Sequence, residues 1–158
     1  MNVEQLMSRN VKTCTPNDTL ELAARIMWEN DCGIVPVVDE AGRVVAMLTD
    51  RDVCMAGYTQ GLQYWQIPVA VAASKLVFSV RPTDSLQQAE ELMRTQQVRR
   101  LAVTNERGQL VGVLSLGDLA RRHPDDVSSD ELARTLRGVS LTRPAAVQRP
   151  MVAGVSPA

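Results

Sequence analysis

Two short motifs carry the residue types best suited to chemistry in this sequence. Thr49 is followed three positions later by Asp52, and Ser115 is followed in the same way by Asp118. A hydroxyl after a strand, with an acid three residues on, is typical of a capped helix start. The same arrangement suits a nucleotide, because the hydroxyl and helix N–H groups favour phosphate and a carboxylate accepts hydrogen bonds from ribose hydroxyls. From the residues alone, capping and ligand binding are equally supported.

Other kinds of chemistry find little support in the sequence. No nucleophile is paired with a base, no two carboxylates form an acid–base pair, and His123 is the only histidine. These features disfavour an enzyme and a zinc site. Cys14, Cys32 and Cys54 form no CxxC pair, which favours free thiols in a reducing compartment. The sequence therefore predicts no catalytic residues, no metal ligands and no required cofactor.

The composition is that of a globular protein. Of 158 residues, 45% are hydrophobic and 22% charged, and the formal net charge is −1. No apolar run approaches the ~20 residues that span a bilayer, and the N-terminus lacks a secretory signal. We therefore expect a cytoplasmic protein without a membrane segment. Residues 132–158 carry four arginines and no acid, too weak a bias to predict a nucleic-acid partner.

The two motifs lie at equivalent positions of an internal repeat. Residues 13–56 align with residues 79–122 at a shift of 66 without a gap, and 11 of the 44 aligned positions are identical. Such a repeat predicts tandem β-α-β-β-α units in an α/β (α+β) fold. In the first copy, hydrophobic spacing and turn residues predict a short helix over Val3–Met7, a strand over Val11–Thr15, a helix over 20–30, strands over Ile34–Val38 and Val44–Leu48, and a helix from Thr49 to about Gly57.

The repeat also sets the expected domain boundaries. We place the first repeat at 1–57, a connector at 58–72, and the second repeat at 73–123. The connector should end in a short helix equivalent to Val3–Met7. Residues 124–158 should contain a helix over 129–137, capped by Ser128 and ended by Gly138, and then a flexible tail.

The sequence resembles the CBS domain. The resemblance lies in Thr49-Asp-Arg-Asp-Val53, Ser115-Leu-Gly-Asp-Leu119, the Ile34-Val-Pro-Val-Val-Asp39 strand and the doubled element order, and it covers about residues 3–122. Two such repeats form a CBS pair, or Bateman module, and the chain resembles the small stand-alone bacterial members. The resemblance implies a non-catalytic regulatory module that binds AMP, ADP, ATP, NAD or S-adenosylmethionine, AMP or ATP above all. It also implies a homodimer formed through the helices and a separate protein effector.

The resemblance further implies two clefts, each combining the motif of one repeat with the first strand of the other. In the first cleft, Thr49 would meet phosphate and Asp52 ribose, beside Gly33, Arg51, Val77, Phe78, Arg99 and Arg100. In the second cleft, Ser115 and Asp118 would take these roles, beside Val11, Lys12, Thr15 and Ile34.

The two expected clefts differ in charge. The arginines of the first suit a di- or triphosphate. Gly117 of the second motif stands where the first has Arg51, so the second cleft should favour AMP or stay empty. The alternative to a nucleotide sensor is a dimeric adaptor in a stress response that has lost ligand binding.

Overall fold

The computed structural model describes residues 1–121 and 129–141. The described chain forms two compact units. The first unit contains Lys12–Val77, and the second contains Met1–Val11 together with residues 78–121 and 129–141. Each unit has a hydrophobic core of its own. None of the helices in these ranges is long and apolar enough to cross a bilayer.

The first unit consists of two helices packed on a hairpin, with a short helical segment after them. Its elements are α1 (Leu20–Glu29), β1 (Ile34–Val38), β2 (Val44–Thr49), α2 (Asp50–Gln60), a 3-10 turn (Tyr64–Gln66) and α3 (Val69–Ala72). Strands β1 and β2 are antiparallel. The Asp39 carboxylate tightens their turn by accepting hydrogen bonds from the backbone of Ala41 and Arg43 and from the Arg43 guanidinium. These bonds, above all those from Arg43, lower the pKa of Asp39.

Helix α1 agrees with the sequence prediction. Thr19 caps its N-terminus by accepting a hydrogen bond from the Leu22 N–H. Of the apolar residues predicted at helical spacing, Leu20, Ala23 and Met27 are buried and Ala24 is half-buried, whereas Trp28 is 89% exposed. The apolar stripe therefore faces the core of the first unit.

Helix α2 is longer than predicted. It continues past Gly57 to Gln60 and ends at Gly61, which adopts a left-handed conformation with φ 61°. Gly57 lies inside the helix because the Tyr64 ring packs against it: a Cβ atom at position 57 would lie 2.5 Å from Cε1 of Tyr64. The glycine thus makes room for an aromatic ring, and the prediction that it ends the helix is wrong.

The predicted strand over Val11–Thr15 is reduced to a single bridge. Cys14 donates its N–H to Pro36 and accepts from Val38, beside strand β1. One residue later the chain already turns, because the Thr15 N–H donates to the Asp18 carboxylate at 2.6 Å. The prediction of a five-residue strand is therefore wrong.

The second unit contains a three-stranded sheet and three helices in its described residues. Its elements are a 3-10 turn (Val3–Gln5), β3 (Ser79–Val80), α4 (Leu86–Gln96), β4 (Arg100–Thr104), β5 (Leu110–Ser115), α5 (Leu116–Ala120) and α6 (Ser129–Ser140). The strand order is β3-β4-β5, with β3 parallel to β4 and β4 antiparallel to β5. The β4–β5 hairpin and α5 repeat the β1–β2 hairpin and the start of α2.

Helix α6 lies along α4 and runs in the same direction. The Gln87 amide donates to Glu131 near the start of both helices, and the Gln97 amide donates to the Leu141 carbonyl near their ends. Thr135 and Val139 of α6 are buried. The helix continues past Gly138, so its predicted end at that residue is wrong. The predicted cap at Ser128 and the predicted tail beyond residue 141 lie outside the described residues, as does the His123-Pro124 pair, at which the sequence predicts that the helix after Ser115 ends.

The compact units do not follow the repeat boundaries, because two leading segments are exchanged. The N-terminal segment lies in the second unit, where the Val3 N–H donates to Asp84 at 3.0 Å. The equivalent segment before the second repeat lies in the first unit, where the Val69 N–H donates to Asp18 at 2.7 Å. Each segment thus packs against the repeat that it does not precede in the sequence.

The exchanged N-terminal segment is held closely against β5. Ser8 and Val113 exchange backbone hydrogen bonds of 2.9 and 3.0 Å. A Cβ atom at the neighbouring Gly112 would lie 2.8 Å from the Ser8 carbonyl oxygen. The glycine therefore permits this close backbone approach.

Candidate functional site

Thr49 and Asp52 form a reciprocal cap at the start of α2. The Asp52 N–H donates to Thr49 Oγ1 at 3.2 Å, and the Thr49 N–H and hydroxyl donate to Asp52 Oδ2 at 2.9 and 2.7 Å. Asp52 is only 3% exposed. This geometry confirms the capping interpretation of the first motif.

Ser115 and Asp118 repeat this geometry at the start of α5. The Asp118 N–H donates to Ser115 Oγ at 3.1 Å, and the Ser115 N–H and hydroxyl donate to Asp118 Oδ2 at 2.8 and 2.6 Å. Asp118 is 8% exposed. Two buried carboxylates thus occupy equivalent, fixed positions in the two repeats.

A backbone hydrogen bond joins the residue before each hairpin to the motif that follows the hairpin. The Asp50 N–H donates to the Gly33 carbonyl at 3.3 Å, and the Leu116 N–H donates to the Arg99 carbonyl at 2.9 Å. The next residue in each repeat pairs across the hairpin with the capping hydroxyl residue: Ile34 lies opposite Thr49, and Arg100 opposite Ser115. The first unit therefore brings Gly33, Ile34, Thr49, Arg51 and Asp52 together, and the second brings Arg99, Arg100, Ser115 and Asp118 together.

The remaining predicted site residues lie where the chain passes between the two units. Val11 and Phe78 belong to the second unit, and Lys12, Thr15 and Val77 to the first. Lys12 and Thr15 are exposed, Val11 and Val77 are half-buried, and Phe78 packs against the core of the second unit. The pairing of residues from different units into two clefts stays a prediction.

Arg121 belongs to the second motif and was not singled out in the sequence. Its Nη2 donates to Asp118 Oδ1 at 2.5 Å, while the arginine side chain is 75% exposed. An acid and an arginine three positions apart in a helix are a recognised ion-pair spacing, so the signal was available. Both oxygens of Asp118 are therefore engaged within the second unit.

The capping bonds restrict what each hydroxyl can offer a ligand. Thr49 and Ser115 each have one hydroxyl hydrogen, and each donates it to the aspartate of its own motif. In this state the oxygen can only accept further hydrogen bonds. To donate to a phosphate, as expected from the sequence, either hydroxyl must first turn away from its aspartate.

The described residues contain no group of three or more histidine, cysteine and acidic side chains arranged to hold a metal ion. The cysteines differ in environment, since Cys14 is buried and Cys54 is exposed. Burial, with a smaller contribution from the charge of Asp18, raises the pKa of Cys14 to about 11. A thiol with such a pKa is a poor nucleophile near neutral pH.

Comparison with known protein families decides what this fold is. The sequence model of the CBS domain matches residues 3–58 and again residues 70–125. The chain belongs to the CBS domain family. Its two CBS repeats contain the two capping motifs, with Asp52 in the first match and Asp118 in the second.

Similar proteins share this architecture. The chain is 35% identical over 139 residues to the CBS domain-containing protein YhcV of Bacillus subtilis, covering 88% of this chain and 95% of the relative. It is 32% identical over 120 residues to Hypoxic response protein 1 of Mycobacterium tuberculosis, covering 76% and 83%. The crystal structure of that protein, with two coordinated zinc ions, matches with a TM-score of 0.71 at 31% identity, covering 78% of this chain and all of the solved one.

A CBS pair with bound ligands has the same fold. The CBS domain pair of protein MJ0100, in complex with 5-methylthioadenosine and S-adenosyl-L-methionine, matches with a TM-score of 0.70. The match covers 77% of this chain and 94% of that one, at 19% identity. The fold, including the doubled repeat, is therefore that of a CBS pair.

Proposed function

We propose that this CBS pair is a non-catalytic regulatory module that binds adenosine-containing ligands and signals through its conformation or dimer packing. The observation that carries the proposal is the pair of buried aspartates, Asp52 and Asp118, held by the same capping bonds in both repeats. A fixed carboxylate is a suitable acceptor for the two adjacent hydroxyls of a ribose. A carboxylate has about four acceptor positions, and in each motif the hydrogen bonds from the hydroxyl residue use two of them, at Oδ2.

The ligand class is further supported by the solved CBS pair with 5-methylthioadenosine and S-adenosyl-L-methionine. Both molecules carry an adenosine, so this fold accommodates one. Among adenosine ligands we propose AMP or ATP for the present chain, since Arg51, Arg99 and Arg100 accompany the motifs and guanidinium groups bind phosphate well. The expected clefts, with the residues given for each above, are part of the proposal.

Signalling requires that the ligand distinguish between two states of the protein. We propose that the protein is a homodimer whose packing changes on binding and that an effector protein recognises the change. Helices α1 and α2 carry exposed apolar side chains suited to such contacts, with Trp28 89% and Tyr58 81% exposed.

A thermal-shift assay with single substitutions tests ligand binding. AMP, ADP, ATP, NAD and S-adenosylmethionine are added to the wild type and to Asp52→Asn and Asp118→Asn. Asparagine keeps one oxygen for the cap but replaces the other carboxylate oxygen with an N–H donor. At 100 times its dissociation constant, a ligand specific to the folded state adds about 2.7 kcal/mol of stability. We expect a clear increase in Tm for the wild type and a smaller one in at least one variant.

Glu40→Gln is the matched control, because Glu40 is an exposed acid in the β1–β2 turn. It removes one negative charge without altering a motif, so its ligand-induced shift should equal that of the wild type. An unchanged Tm for the wild type with every ligand at millimolar concentration contradicts the proposal.

A second candidate function is the ligand-independent dimeric adaptor. The exposure of Trp28 and Tyr58, together with Trp65 at 58%, favours it, because large aromatic side chains are common in protein interfaces. If no adenosine ligand stabilises the protein while Trp28→Ala changes its oligomeric state in sedimentation experiments, the adaptor function is supported instead.

A further inference from the structure

Each motif has an arginine close to its aspartate, but its position within the motif differs between the two repeats by one helical turn. In the first repeat, Arg51 precedes the aspartate by one position and Met55 follows it by three. In the second repeat these positions hold Gly117 and Arg121. In the structure the guanidinium of Arg121 contacts Asp118. A Cβ atom at position 117 would lie 3.8 Å from Arg121 Nη1. The guanidinium thus lies beside the position where an arginine side chain at 117 would start.

We propose that Arg121 determines ligand specificity at the second motif and makes it select ligands with an anionic phosphate over neutral adenosine derivatives. The inference rests on the proposed function and refines it. The glycine at position 117 suggested a second cleft poor in positive charge. Arg99 and Arg100 lie in the same unit beside Ser115, and Arg121 adds a guanidinium that contacts Asp118 directly. The Arg121 side chain is exposed enough to move.

The selection follows from competition for one carboxylate oxygen. Asp118 Oδ2 is committed to the Ser115 backbone and hydroxyl, so a ribose diol must approach Oδ1. Arg121 already occupies Oδ1. A nucleotide brings its own partner for the guanidinium, because a phosphate accepts charge-assisted hydrogen bonds from it. Arg121 then moves from Asp118 to the phosphate, and Oδ1 becomes available to the ribose.

A neutral ligand cannot draw Arg121 away from Asp118. Adenosine offers the same diol but no anion, so Arg121 stays on Asp118 and competes with the ribose. The arginine therefore favours AMP and disfavours adenosine, and its removal should lower the ratio of AMP affinity to adenosine affinity. A purely structural role for the ion pair would change both affinities alike.

Isothermal titration calorimetry of the full chain with AMP and with adenosine tests the inference. Asp52→Asn is the background, so that the remaining binding belongs to the second motif. In this background Arg121→Met, which introduces the residue found at position 55, should weaken AMP binding by about ten-fold or more. Adenosine affinity should stay equal or increase. Adding Gly117→Arg to Arg121→Met reproduces the first motif's pattern and should restore the preference for AMP.

Arg107→Met is the matched control. It removes the same charge from an exposed arginine of the second unit, in the β4–β5 turn at the other end of the hairpin from Ser115. Its ratio of AMP to adenosine affinity should match that of the background.

The outcomes separate this inference from the proposed function. An unchanged AMP-to-adenosine ratio in Arg121→Met overturns the role of Arg121 and leaves the proposed function standing. Loss of all binding in the Asp52→Asn background, with binding by the wild type, also overturns only the inference. Absence of binding by the wild type to AMP, adenosine and the wider ligand panel overturns both.

Discussion

At the scale of single residues, the capping hydroxyls link stability to the ligand. Thr49 and Ser115 donate to their own aspartates in the described state. A phosphate that draws either hydroxyl hydrogen away removes the bond from that hydroxyl to the carboxylate, at a cost of about 1 kcal/mol. Ligand binding at these positions is therefore connected to the starts of α2 and α5.

Cys14 gives a prediction about pH. Burial raises its pKa from an ordinary value of 9.0 to about 11, so the folded protein holds this proton more tightly than the unfolded chain. The stability that Cys14 contributes is complete below about pH 9 and is lost as the pH rises to about 11. In urea denaturation, the free energy of unfolding of the wild type should fall relative to Cys14→Ala across this interval.

The matched control is the exposed cysteine of α2. Cys54→Ala removes an exposed thiol and keeps Cys14, so its free energy of unfolding should still fall relative to Cys14→Ala across this interval. Parallel pH profiles for the wild type and Cys14→Ala would show that the thiol ionises equally in both states.

The paired motifs could be predicted from the sequence because each is defined by two residues only three positions apart. A hydroxyl and an acid three positions apart fix a capping geometry whatever the rest of the fold does. It did not assign a role to Arg121, because its importance depends on which Asp118 oxygen stays available after capping. That information comes only from the side-chain geometry.

At the scale of elements, the packing of Tyr64 on Gly57 gives a second prediction. A methyl group at position 57 would collide with the ring, so Gly57→Ala should lower the free energy of unfolding of the wild type by about 1 kcal/mol or more. In a Tyr64→Ala background the collision is absent. There Gly57→Ala should raise the free energy of unfolding by up to ~1 kcal/mol, since alanine favours a helix.

The four proteins of this double-mutant cycle can be compared by urea denaturation. A sign reversal between the two backgrounds is the expected result. The same sign in both would mean that Tyr64 does not rest on the helix at this point.

Element types were easier to predict than their ends. The apolar periodicity of α1 and the β-branched run of β1 identify those elements directly. The ends of α2 and α6 were misjudged because Gly57 and Gly138 look like stop signals in sequence. Both are buried or half-buried contact points, where Tyr64 and Arg94 approach the helix. A glycine that accommodates a neighbour cannot be distinguished by sequence from one that ends a helix.

At the scale of the whole molecule, the exchanged segments predict which of the two units a core substitution destabilises. Val3 and Val69 are fully buried, the first in the core of the second unit and the second in the core of the first. Truncating either to alanine should cost about 2 kcal/mol. Native-state hydrogen exchange should show Val3→Ala loosening α4 and β5, and Val69→Ala loosening α1 and the β1–β2 hairpin.

Each variant is the control for the other. If Val3→Ala reduced protection in Lys12–Val77 and left the second unit unchanged, the leading segment would belong to the repeat that it precedes. Sequence could not predict the exchange, because the two repeats are alike and each offers a leading segment an equivalent partner.

The exchanged position of the N-terminal segment also determines when this segment can pack during synthesis. The N-terminal segment pairs with residues between Pro82 and Val113, whereas the described residues of the first unit all lie within Lys12–Val77. At roughly 5–20 residues per second, a ribosome needs several seconds to advance from Ser8 to Val113. Residues 1–8 thus leave the ribosome well before the residues that hold them in place, and during that interval Val3 and Met7 present apolar surface that chaperones can bind.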